Sequence, residues 1–431
     1  MKDILLEKTF EPIRWETAIE KGVFKGIDKG ELRQLCNPKT RARLAMAILE
    51  DNYEIAPPHQ ALIPKDNGEF RTVYVNENVD RIFLSIVNDL LFEMCPDMIH
   101  STCKSYQKGI GCGKVVQEIS HKLKPNPYQN PNGILGFKAD LSKYFDSVPI
   151  EFIDNAFDQV EQKIGKSKVI TVLRKYYHTD LCFNPDGNLI EHYQSLKQGC
   201  AVASFLADVM LFHIDFELYK YSVMNMASMY TRYSDDILYI GSGYEKAMGF
   251  LEKELNKMSM KLNPKKVEYL THDKWFKFLG FMIKDGQITL SHNRVKDFQK
   301  EIERRSIKNL NYRAGGKIAV KSINRYLYKG DGTYSWATQV LPIINVEKDI
   351  DTLNEFVMDC IRACQTGKRN IGGLGTVTNR KDCTILRGTG KNVSANRKNT
   401  EKEIEGYYSI RCMQKALNIC RPVYDTIVRE M

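Results

Sequence analysis

Ten residues near the middle of the chain read Thr231-Arg232-Tyr233-Ser234-Asp235-Asp236-Ile237-Leu238-Tyr239-Ile240. The run is rich in the β-branched and aromatic residues that are typical of strands, and two adjacent carboxylates interrupt it. This pattern predicts two short strands joined by a tight turn that carries Asp235 and Asp236. An isolated Asp-Asp pair is more often a solvated turn than a metal site, so its interpretation depends on the rest of the sequence.

A second acidic stretch lies upstream and reads Phe137-Lys138-Ala139-Asp140-Leu141-Ser142-Lys143-Tyr144-Phe145-Asp146. Its half-apolar beginning predicts a strand that ends at Asp140, just before a turn into a helix. Carboxylates on neighbouring strands suit Mg²⁺, a hard cation that takes oxygen ligands. Two such ions about 4 Å apart promote phosphoryl transfer. We therefore expect Asp140 and Asp235 to form a bridging pair, with Asp236 as a more peripheral ligand.

The remaining sequence predicts a mixed α+β protein. Residues 1–50 have a helical pattern, and a second helical pattern runs from Asp80 to Met94. Between them, two strand-like runs flank the turn sequence Asp66-Asn67-Gly68, which predicts a hairpin. Short strands alternate with amphipathic helices over residues 134–283, and the pattern becomes mostly helical from residue 293. The glycine-containing stretch 361–400 is basic and predicts a loop or arm.

The composition narrows the class of partner. The chain has 431 residues, of which 43% are hydrophobic, and a net charge of +10. That charge favours a polyanionic partner such as nucleic acid, because each phosphate neutralised by Lys or Arg releases a counterion. No run of about 18 apolar residues that would span a membrane occurs, and the first residues lack a secretory signal. Because the eleven cysteines form no CxxC pair, we expect reduced thiols and a cytoplasmic location.

Seven motifs, in order along the chain, resemble those of reverse transcriptases, in particular bacterial enzymes related to group II intron and retron reverse transcriptases. The segment 233–236 resembles the Tyr-x-Asp-Asp box, and 140–148 resembles the box that precedes it. Between them, 196–200 resembles the Gln-Gly box, although it lacks the prolines usual in intron-type enzymes. Upstream, Ile63-Pro64-Lys65 with Arg71 and Asp80-Arg81 resembles the fingers motifs, and Ser105-Tyr106-Gln107-Lys108-Gly109 resembles the Ser-Tyr segment. Downstream, Leu262-Asn263-Pro264-Lys265-Lys266 resembles the lysine motif, and Phe278-Leu279-Gly280-Phe281 resembles the primer-grip hairpin.

The resemblance implies an α+β right-hand polymerase with fingers, a palm of antiparallel sheet plus helices, a helical thumb and a helical, basic C-terminal extension. We expect N-terminal helices and fingers at 1–135 and the palm at 136–285, with part of the fingers between 150 and 195. The thumb is expected at 286–365, and a basic arm with a C-terminal helix at 366–431. A solubilising loop is the alternative interpretation of the arm.

The resemblance also implies roles for individual residues. Asp140, Asp235 and Asp236 would be catalytic and, with Leu141, would hold two Mg²⁺ ions, for which Mn²⁺ is a substitute. The Phe145 ring would exclude a 2′-hydroxyl and so favour deoxynucleotides; a core phenylalanine is the alternative. The other expected residues bind the dNTP (Lys65, Arg71, Gln198, Gly199, Lys266) or nucleic acid (Tyr233, Gly280, Arg387, Arg397, Lys398). Surface charges and a plain helix N-terminus are the alternatives for these two groups.

Several features of related enzymes do not occur in the sequence: an HNH-type Cys/His cluster, a separate RNase H block, and the signatures of retron and diversity-generating enzymes. We therefore expect a stand-alone bacterial reverse transcriptase linked to phage defence and abortive infection. Its partners would be a dedicated non-coding RNA as template, dNTPs and the DNA product. No membrane association is expected, and the sequence leaves open whether the chain forms a homo-oligomer. Three alternatives remain. They are template-independent or protein-primed DNA synthesis, with Tyr407-Tyr408 as candidate priming residues, a non-catalytic RNA-binding scaffold, and RNA synthesis, which the Phe145 gate argues against.

Overall fold

The computed structural model describes residues 2–21, 28–65, 68–123, 133–223, 228–307, 315–329, 336–366 and 410. The chain divides into two compact units. Unit 1 comprises Met1–Lys108 and Leu135–Tyr269, and unit 2 comprises Gly109–Ile134 and Leu270–Met431. No described helix is long and apolar enough to cross a membrane.

Helices make up much of both units. Local sequence explains several of their ends: the Asn37 side chain accepts a hydrogen bond from the Thr40 amide at the start of one helix, with Pro38 in the first turn. In chain order the helices are α1 (Ile4–Thr9), α2 (Pro12–Lys21), α3 (Lys29–Leu35), α4 (Pro38–Leu49), α5 (Asn78–Met94), α6 (Cys112–Lys122), α7 (Tyr144–Ser147), α8 (Ile150–Ile164), α9 (Lys168–His178), α10 (Ala203–Val209), α11 (Phe212–Val223), α12 (Tyr244–Lys257), α13 (His292–Arg305), α14 (Gly315–Asn324), α15 (Trp336–Gln339) and α16 (Glu347–Thr366), with a 3₁₀ turn at Pro96–Met98 and a π turn at Arg325–Lys329.

The described strands form three sheets, with orders β2-β1-β4-β5, β6-β7-β3-β8 and β11-β10-β9. Nearly all neighbouring strands whose register is defined are antiparallel; β1 and β4 meet in a short parallel pair. The strands are β1 (His59–Pro64), β2 (Phe70–Val75), β3 (Ile134–Asp140), β4 (Leu181–Phe183), β5 (Leu189–Glu191), β6 (Met229–Tyr233), β7 (Asp236–Ile240), β8 (Glu268–Thr271), β9 (Phe276–Phe278), β10 (Phe281–Lys284) and β11 (Gln287–Leu290).

In unit 1 the second sheet lies at the centre of a large hydrophobic core. Phe137 on β3 stacks on Tyr239 of β7 with ring centroids 5.6 Å apart, and both rings are fully buried. The two strands approach so closely at Gly136 that a Cβ atom there would lie 2.0 Å from the Tyr239 carbonyl oxygen. Close packing of this kind fixes the register of β3 against β7, and the register decides where their terminal carboxylates meet.

Unit 2 combines the sheet β11-β10-β9 with α6 and the helices from α13 onward. The α6 side chain Gln117 donates a hydrogen bond of 2.9 Å to the Pro342 carbonyl oxygen. Phe298 on α13 packs against Trp336 on α15 with ring centroids 4.4 Å apart. The helical character predicted from residue 293 is thus present in the described part of this unit.

The structure confirms the α+β class, with antiparallel sheets. The predicted hairpin is formed by β1 and β2, the helix predicted over 80–94 is α5, and eight cysteines are free thiols in the described residues. One prediction was wrong: the basic arm does not begin at residue 361, because α16 continues to Thr366. The apolar residues Ile361, Ala363 and Cys364 are buried on that helix. The rest of the arm lies outside the described residues, and the fingers, palm and thumb boundaries stay predictions.

Candidate active site

The two adjacent carboxylates lie where the sequence predicts, at a tight turn between β6 and β7. Tyr233 and Asp236 are the last paired residues of this hairpin, so Ser234 and Asp235 form its connection. Ser234 has a φ of +57°, as two-residue hairpin loops require at their first position. The turn therefore presents the Asp235 and Asp236 side chains at one end of the sheet.

The end of β3 brings a third carboxylate to the same place. Asp140 pairs with Asp236 across β3 and β7, and the Leu141 amide donates a 3.2 Å hydrogen bond to the Asp235 carbonyl oxygen. On the other side, the Asn263 amide donates a 2.8 Å hydrogen bond to the Asp140 carbonyl oxygen. Antiparallel register thus brings Asp140 next to the Asp235-Asp236 pair, which lies almost a hundred positions later in the sequence.

The three carboxylates repel one another electrostatically. Burial raises the pKa of Asp235, and the Asp140 charge raises it further. For Asp236, burial and then the charges of Asp235 and Asp140 raise the pKa to about 6. The cations of Lys266 and Arg71 oppose these shifts at Asp235. A cluster of this kind favours a bound cation, because positive charge relieves the repulsion.

Lys266 makes the strongest of these contacts. Its Nζ donates a 2.6 Å hydrogen bond to Asp140 Oδ2, and 56% of its side chain is exposed. Desolvation lowers the pKa of Lys266, but the hydrogen bond to Asp140 and the Asp140 charge raise it, so the net shift is upward. This ammonium group is held at the cluster and still faces solvent, as a group that contacts an incoming phosphate would have to be.

The donor set is compatible with Mg²⁺, which prefers a few carboxylates and completes its shell with other oxygens. As placed, no group of three or more His, Cys, Asp or Glu side chains in the described residues is arranged to hold a metal ion. Asp140, Asp235 and Asp236 are the residues that would hold an ion, and Leu141 lies beside them through its backbone.

The predicted nucleotide-binding segments meet near this cluster. The Leu196 amide donates a 3.2 Å hydrogen bond to the Phe145 carbonyl oxygen, and the Tyr74 amide donates one of 2.7 Å to that of Gln198. Gly199 has a φ of +111°, and a Cβ atom there would lie 2.7 Å from the Tyr74 carbonyl oxygen. The backbone of 198–199 therefore lies directly against β2. The Phe145 ring is half-buried and packs against the core.

The two predicted phosphate-binding cations lie in the β1–β2 hairpin, Lys65 directly after β1 and Arg71 on β2, and both are exposed. Lys65 lies 3.7 Å from Glu69, whereas Arg71 is close enough to influence Asp235. Both also act on Asp146. Burial raises the pKa of Asp146, and the charges of Lys143, Lys65, His192 and Arg71 oppose that rise only in part. The charges that act on Asp146 are thus those of nearby cations rather than those of the carboxylate cluster.

Of the remaining predicted residues, two belong to the described part of the chain and three do not. Tyr233 is half-buried at the end of β6, next to the turn. Gly280 belongs to unit 2, in the tight β9–β10 connection, with a φ of +81°. Arg387, Arg397 and Lys398 lie outside the described residues.

Sequence reasoning missed a buried ionic network beneath the turn. Arg232 is fully buried and donates two hydrogen bonds to Asp215, from Nε at 2.8 Å and from Nη2 at 2.7 Å. Tyr230 donates to the same carboxylate, and Ser105 donates to Asp208 at 2.6 Å. Burial raises the pKa of Asp208 to about 6, and the Arg232 charge opposes that shift. The available signal was an arginine inside a run with strand character, since buried arginines need partners.

A strand end that carries converging carboxylates beside cations is typical of metal-dependent nucleotidyl transfer. Residues 63–283, more than half of the chain, match the family model described as reverse transcriptase (RNA-dependent DNA polymerase). The chain therefore belongs to the reverse transcriptase family, whose members are nucleotidyltransferases. No curated protein sequence matches it.

Solved structures to which the chain is similar include telomerases from two Candida species. Apo telomerase from Candida tropicalis, truncated from its C-terminal domain, is 15% identical, with a TM-score of 0.40 over 58% of this chain and 59% of that one. Telomerase from Candida albicans in complex with a fragment of telomeric RNA is 11% identical, with a TM-score of 0.43 over 76% and 63%. The chain thus spans less than two thirds of either structure.

Proposed function

We propose that the chain is an RNA-directed DNA polymerase that uses Asp140, Asp235 and Asp236 as its catalytic carboxylates. The observation that carries the proposal is their convergence at one end of β3 and β7, with Lys266 and Arg71 beside them. The family match supports the reaction class, and the geometry supports the choice of these residues.

The proposed roles follow from the contacts. Lys266, hydrogen-bonded to Asp140 and half-exposed, would contact the triphosphate or donate a proton to the pyrophosphate as it leaves. Arg71 and Lys65 would bind the same triphosphate from the hairpin, Arg71 with its fork of donors. Gln198, Gly199 and the Phe145 ring would contact the nucleotide itself, and Phe145 would exclude a 2′-hydroxyl.

Reverse transcriptase domains use divalent metal ions, and the carboxylates of Asp140, Asp235 and Asp236 supply the type of oxygen donor that would hold two Mg²⁺ ions, with Mn²⁺ as a substitute. Such ions lower the barrier by activating the attacking 3′-oxygen and stabilising the leaving pyrophosphate. The role of the protein would be to hold the carboxylates in register, which keeps like charges close together at some electrostatic cost. Burial first, and then repulsion among the carboxylates, raise the pKa values of Asp235 and Asp236.

We further propose that the chain is a stand-alone bacterial enzyme of phage defence that copies a dedicated non-coding RNA in the cytoplasm. This finer proposal is supported by the motif resemblance and by the lack of endonuclease, retron and diversity-generating signatures in the sequence. Template-independent or protein-primed synthesis by the same site is the second candidate. The tyrosines named for priming, Tyr407 and Tyr408, lie outside the described residues.

The test compares the nucleic acids that co-purify with the wild type and with an Asp235→Asn/Asp236→Asn variant. Templated synthesis predicts one dominant RNA in both samples, and complementary DNA with a free 5′ end only in the wild type. DNA of simple repeats unrelated to the bound RNA, or DNA covalently attached to a tyrosine, would support the second candidate instead. Equal amounts of DNA in wild type and variant would overturn the assignment of the carboxylates.

A further inference from the structure

The buried Arg232 side chain supports the turn that carries Asp235, and the Tyr106 hydroxyl also contacts this turn, 3.4 Å from Ser234 Oγ. Arg232 lies two residues before Ser234 on β6, and its Nη1 donates a 3.0 Å hydrogen bond to the Ser234 carbonyl oxygen. That oxygen belongs to the peptide group that links Ser234 to Asp235. The guanidinium therefore holds the orientation of the peptide from which the Asp235 side chain projects.

The guanidinium is itself fixed from several sides. Asp215 on α11 accepts from both Nε and Nη2, a bidentate arrangement that fixes the plane of the group. Nη2 also donates 3.0 Å to the Asp208 carbonyl oxygen. Arg232 and both carboxylates have side chains that are completely inaccessible to solvent. A buried, multiply bonded fork has little freedom to reorient, so the Ser234 carbonyl is held by a rigid group.

The held conformation is one that the chain would not keep by itself. Ser234 has a φ of +57°, in the left-handed region that a non-glycine residue adopts only when its surroundings impose it. The Asp235 carbonyl oxygen is fixed in turn by the Leu141 amide of the adjoining strand. The two peptide groups that flank the Asp235 backbone are thus each anchored by one hydrogen bond, the first of them from Arg232.

We propose that Arg232 is a positioning residue for nucleotidyl transfer, which sets the direction of the Asp235 carboxylate through the Ser234 carbonyl, with Asp215 as its anchor. This inference rests on the proposed function, since it assumes that Asp235 is catalytic. Catalytic groups must be held within a fraction of an ångström, and a misplacement of about 1 Å can reduce the rate by about 10²-fold. The network therefore has a role beyond stability.

The informative variant is Arg232→Lys. An alanine at this position would leave two buried carboxylates without their counter-ion and would threaten folding itself. Lysine keeps the charge beside Asp215, but its single ammonium cannot make the forked contacts and also reach the Ser234 carbonyl. The matched control is Tyr230→Phe, which removes a hydrogen bond to the same Asp215 carboxylate and none to the turn.

Steady-state DNA synthesis on a defined primer–template separates the two kinds of effect. We expect Arg232→Lys to reduce kcat by 10-fold or more, up to about 10²-fold, with the KM for dNTP and primer–template binding changed less than threefold. Tyr230→Phe is expected to keep kcat within threefold of the wild type. Hydrogen exchange, read without substrate or metal, should quicken in the peptide that contains the Leu141 amide for Arg232→Lys alone. A kcat within threefold for Arg232→Lys would overturn the proposal, as would losses in both variants that follow their losses of thermal stability.

Asp235→Asn in the same assay keeps this inference distinct from the proposed function. If Asp235→Asn is inactive and Arg232→Lys is fully active, only the positioning role fails. If Asp235→Asn synthesises DNA at the wild-type rate, the assignment of the catalytic carboxylates fails first, and the positioning role fails with it.

Discussion

At the scale of single residues, Gly199 shows how one missing side chain determines the site. Its φ of +111° and the 2.7 Å distance between a would-be Cβ and the Tyr74 carbonyl oxygen leave no room for another residue. The same close approach lets the Tyr74 amide reach the Gln198 carbonyl oxygen. The Gln-Gly segment and the hairpin that carries Arg71 are therefore held together by contact between two backbones.

Gly199→Ala is expected to destabilise the protein and to impair nucleotide binding, because β2 must move to accommodate the methyl group. The matched control is Gly187→Ala, since Gly187 also has a positive φ, +83°, but nothing lies within 4 Å of its would-be Cβ. Both variants bear the conformational cost of about 1–2 kcal/mol, and only Gly199→Ala adds an overpacking cost of about 1–3 kcal/mol. Urea unfolding and the KM for dNTP measure the difference. Equal losses in the two variants would refute the contact argument.

Phe145 is the residue predicted to select deoxynucleotides, and its half-buried ring is compatible with that role. Phe145→Ala is expected to raise ribonucleotide use relative to deoxynucleotide use by about tenfold, equal to roughly 1.4 kcal/mol of lost discrimination. Phe152→Ala removes another half-buried ring that packs against the same core, and it is the control for simple loss of packing. Single-nucleotide incorporation with rNTP and dNTP gives the ratio. The gate assignment is wrong if the two variants show the same ratio.

At the scale of elements, the sequence predicted what depends on local pattern. The strand that ends at Asp140, the turn at Asp235 and the β1–β2 hairpin follow from strand-forming runs and turn residues. Partners far apart in the sequence could not be predicted in this way. Nothing in the pattern of α11 indicates that Asp215 would pair with Arg232 on β6, because that contact depends on how the helix packs against the sheet.

Lys197 is a second case in which packing overrides composition. A lysine before a Gln-Gly pair suggests a surface charge, yet this one is 1% exposed. Its Nζ donates hydrogen bonds to the Thr179 carbonyl oxygen at 2.8 Å and to Gln194 Oε1 at 2.9 Å, and it lies 4.8 Å above the Tyr176 ring. Burial lowers its pKa to about 8, with partial compensation from Cys200 and Asp180. These contacts connect the start of the Gln-Gly segment to α9.

The lowered pKa of Lys197 predicts a pH-dependent stability. Below about pH 8 both the folded and the unfolded chain carry the charge, and the cost of burying it is present in full. Between pH 8 and about 10.5 the unfolded chain binds the proton and the folded chain does not, so stability from this group rises with pH. Lys197→Met lacks this gain, so its free energy of unfolding relative to that of the wild type should fall by up to about 3 kcal/mol between pH 8 and about 10.5.

Urea unfolding at pH 7, 8.5 and 10 measures this difference. Lys175→Met, which removes an exposed lysine from α9, is the control, and its stability curve should run parallel to that of the wild type. If the curve for Lys197→Met is also parallel to the wild type, the ammonium is not buried in the folded protein.

At the scale of the whole molecule, the carboxylate cluster and the net charge act in opposite directions. The chain carries +10, which favours nucleic acid, whereas the turn presents negative charge at the place where a primer end would have to lie. Without divalent ions the cluster repels the phosphates, and the basic remainder must supply the affinity. Under the proposed function, binding of the duplex and catalysis would depend on different residues, which would make them separable by mutation.

This separation leads to a prediction about binding in EDTA. Asp235→Asn/Asp236→Asn should bind a primer–template duplex at least as tightly as the wild type, because two repelling charges are removed. Its log Kd should have the same slope against log salt concentration, since each phosphate contact contributes about 0.9 to that slope and those contacts are unchanged. Fluorescence anisotropy between 50 and 200 mM salt measures both quantities. Weaker binding by the variant would show that the carboxylates do not face the nucleic acid, and a slope near zero would show that the basic charge does not carry the interaction.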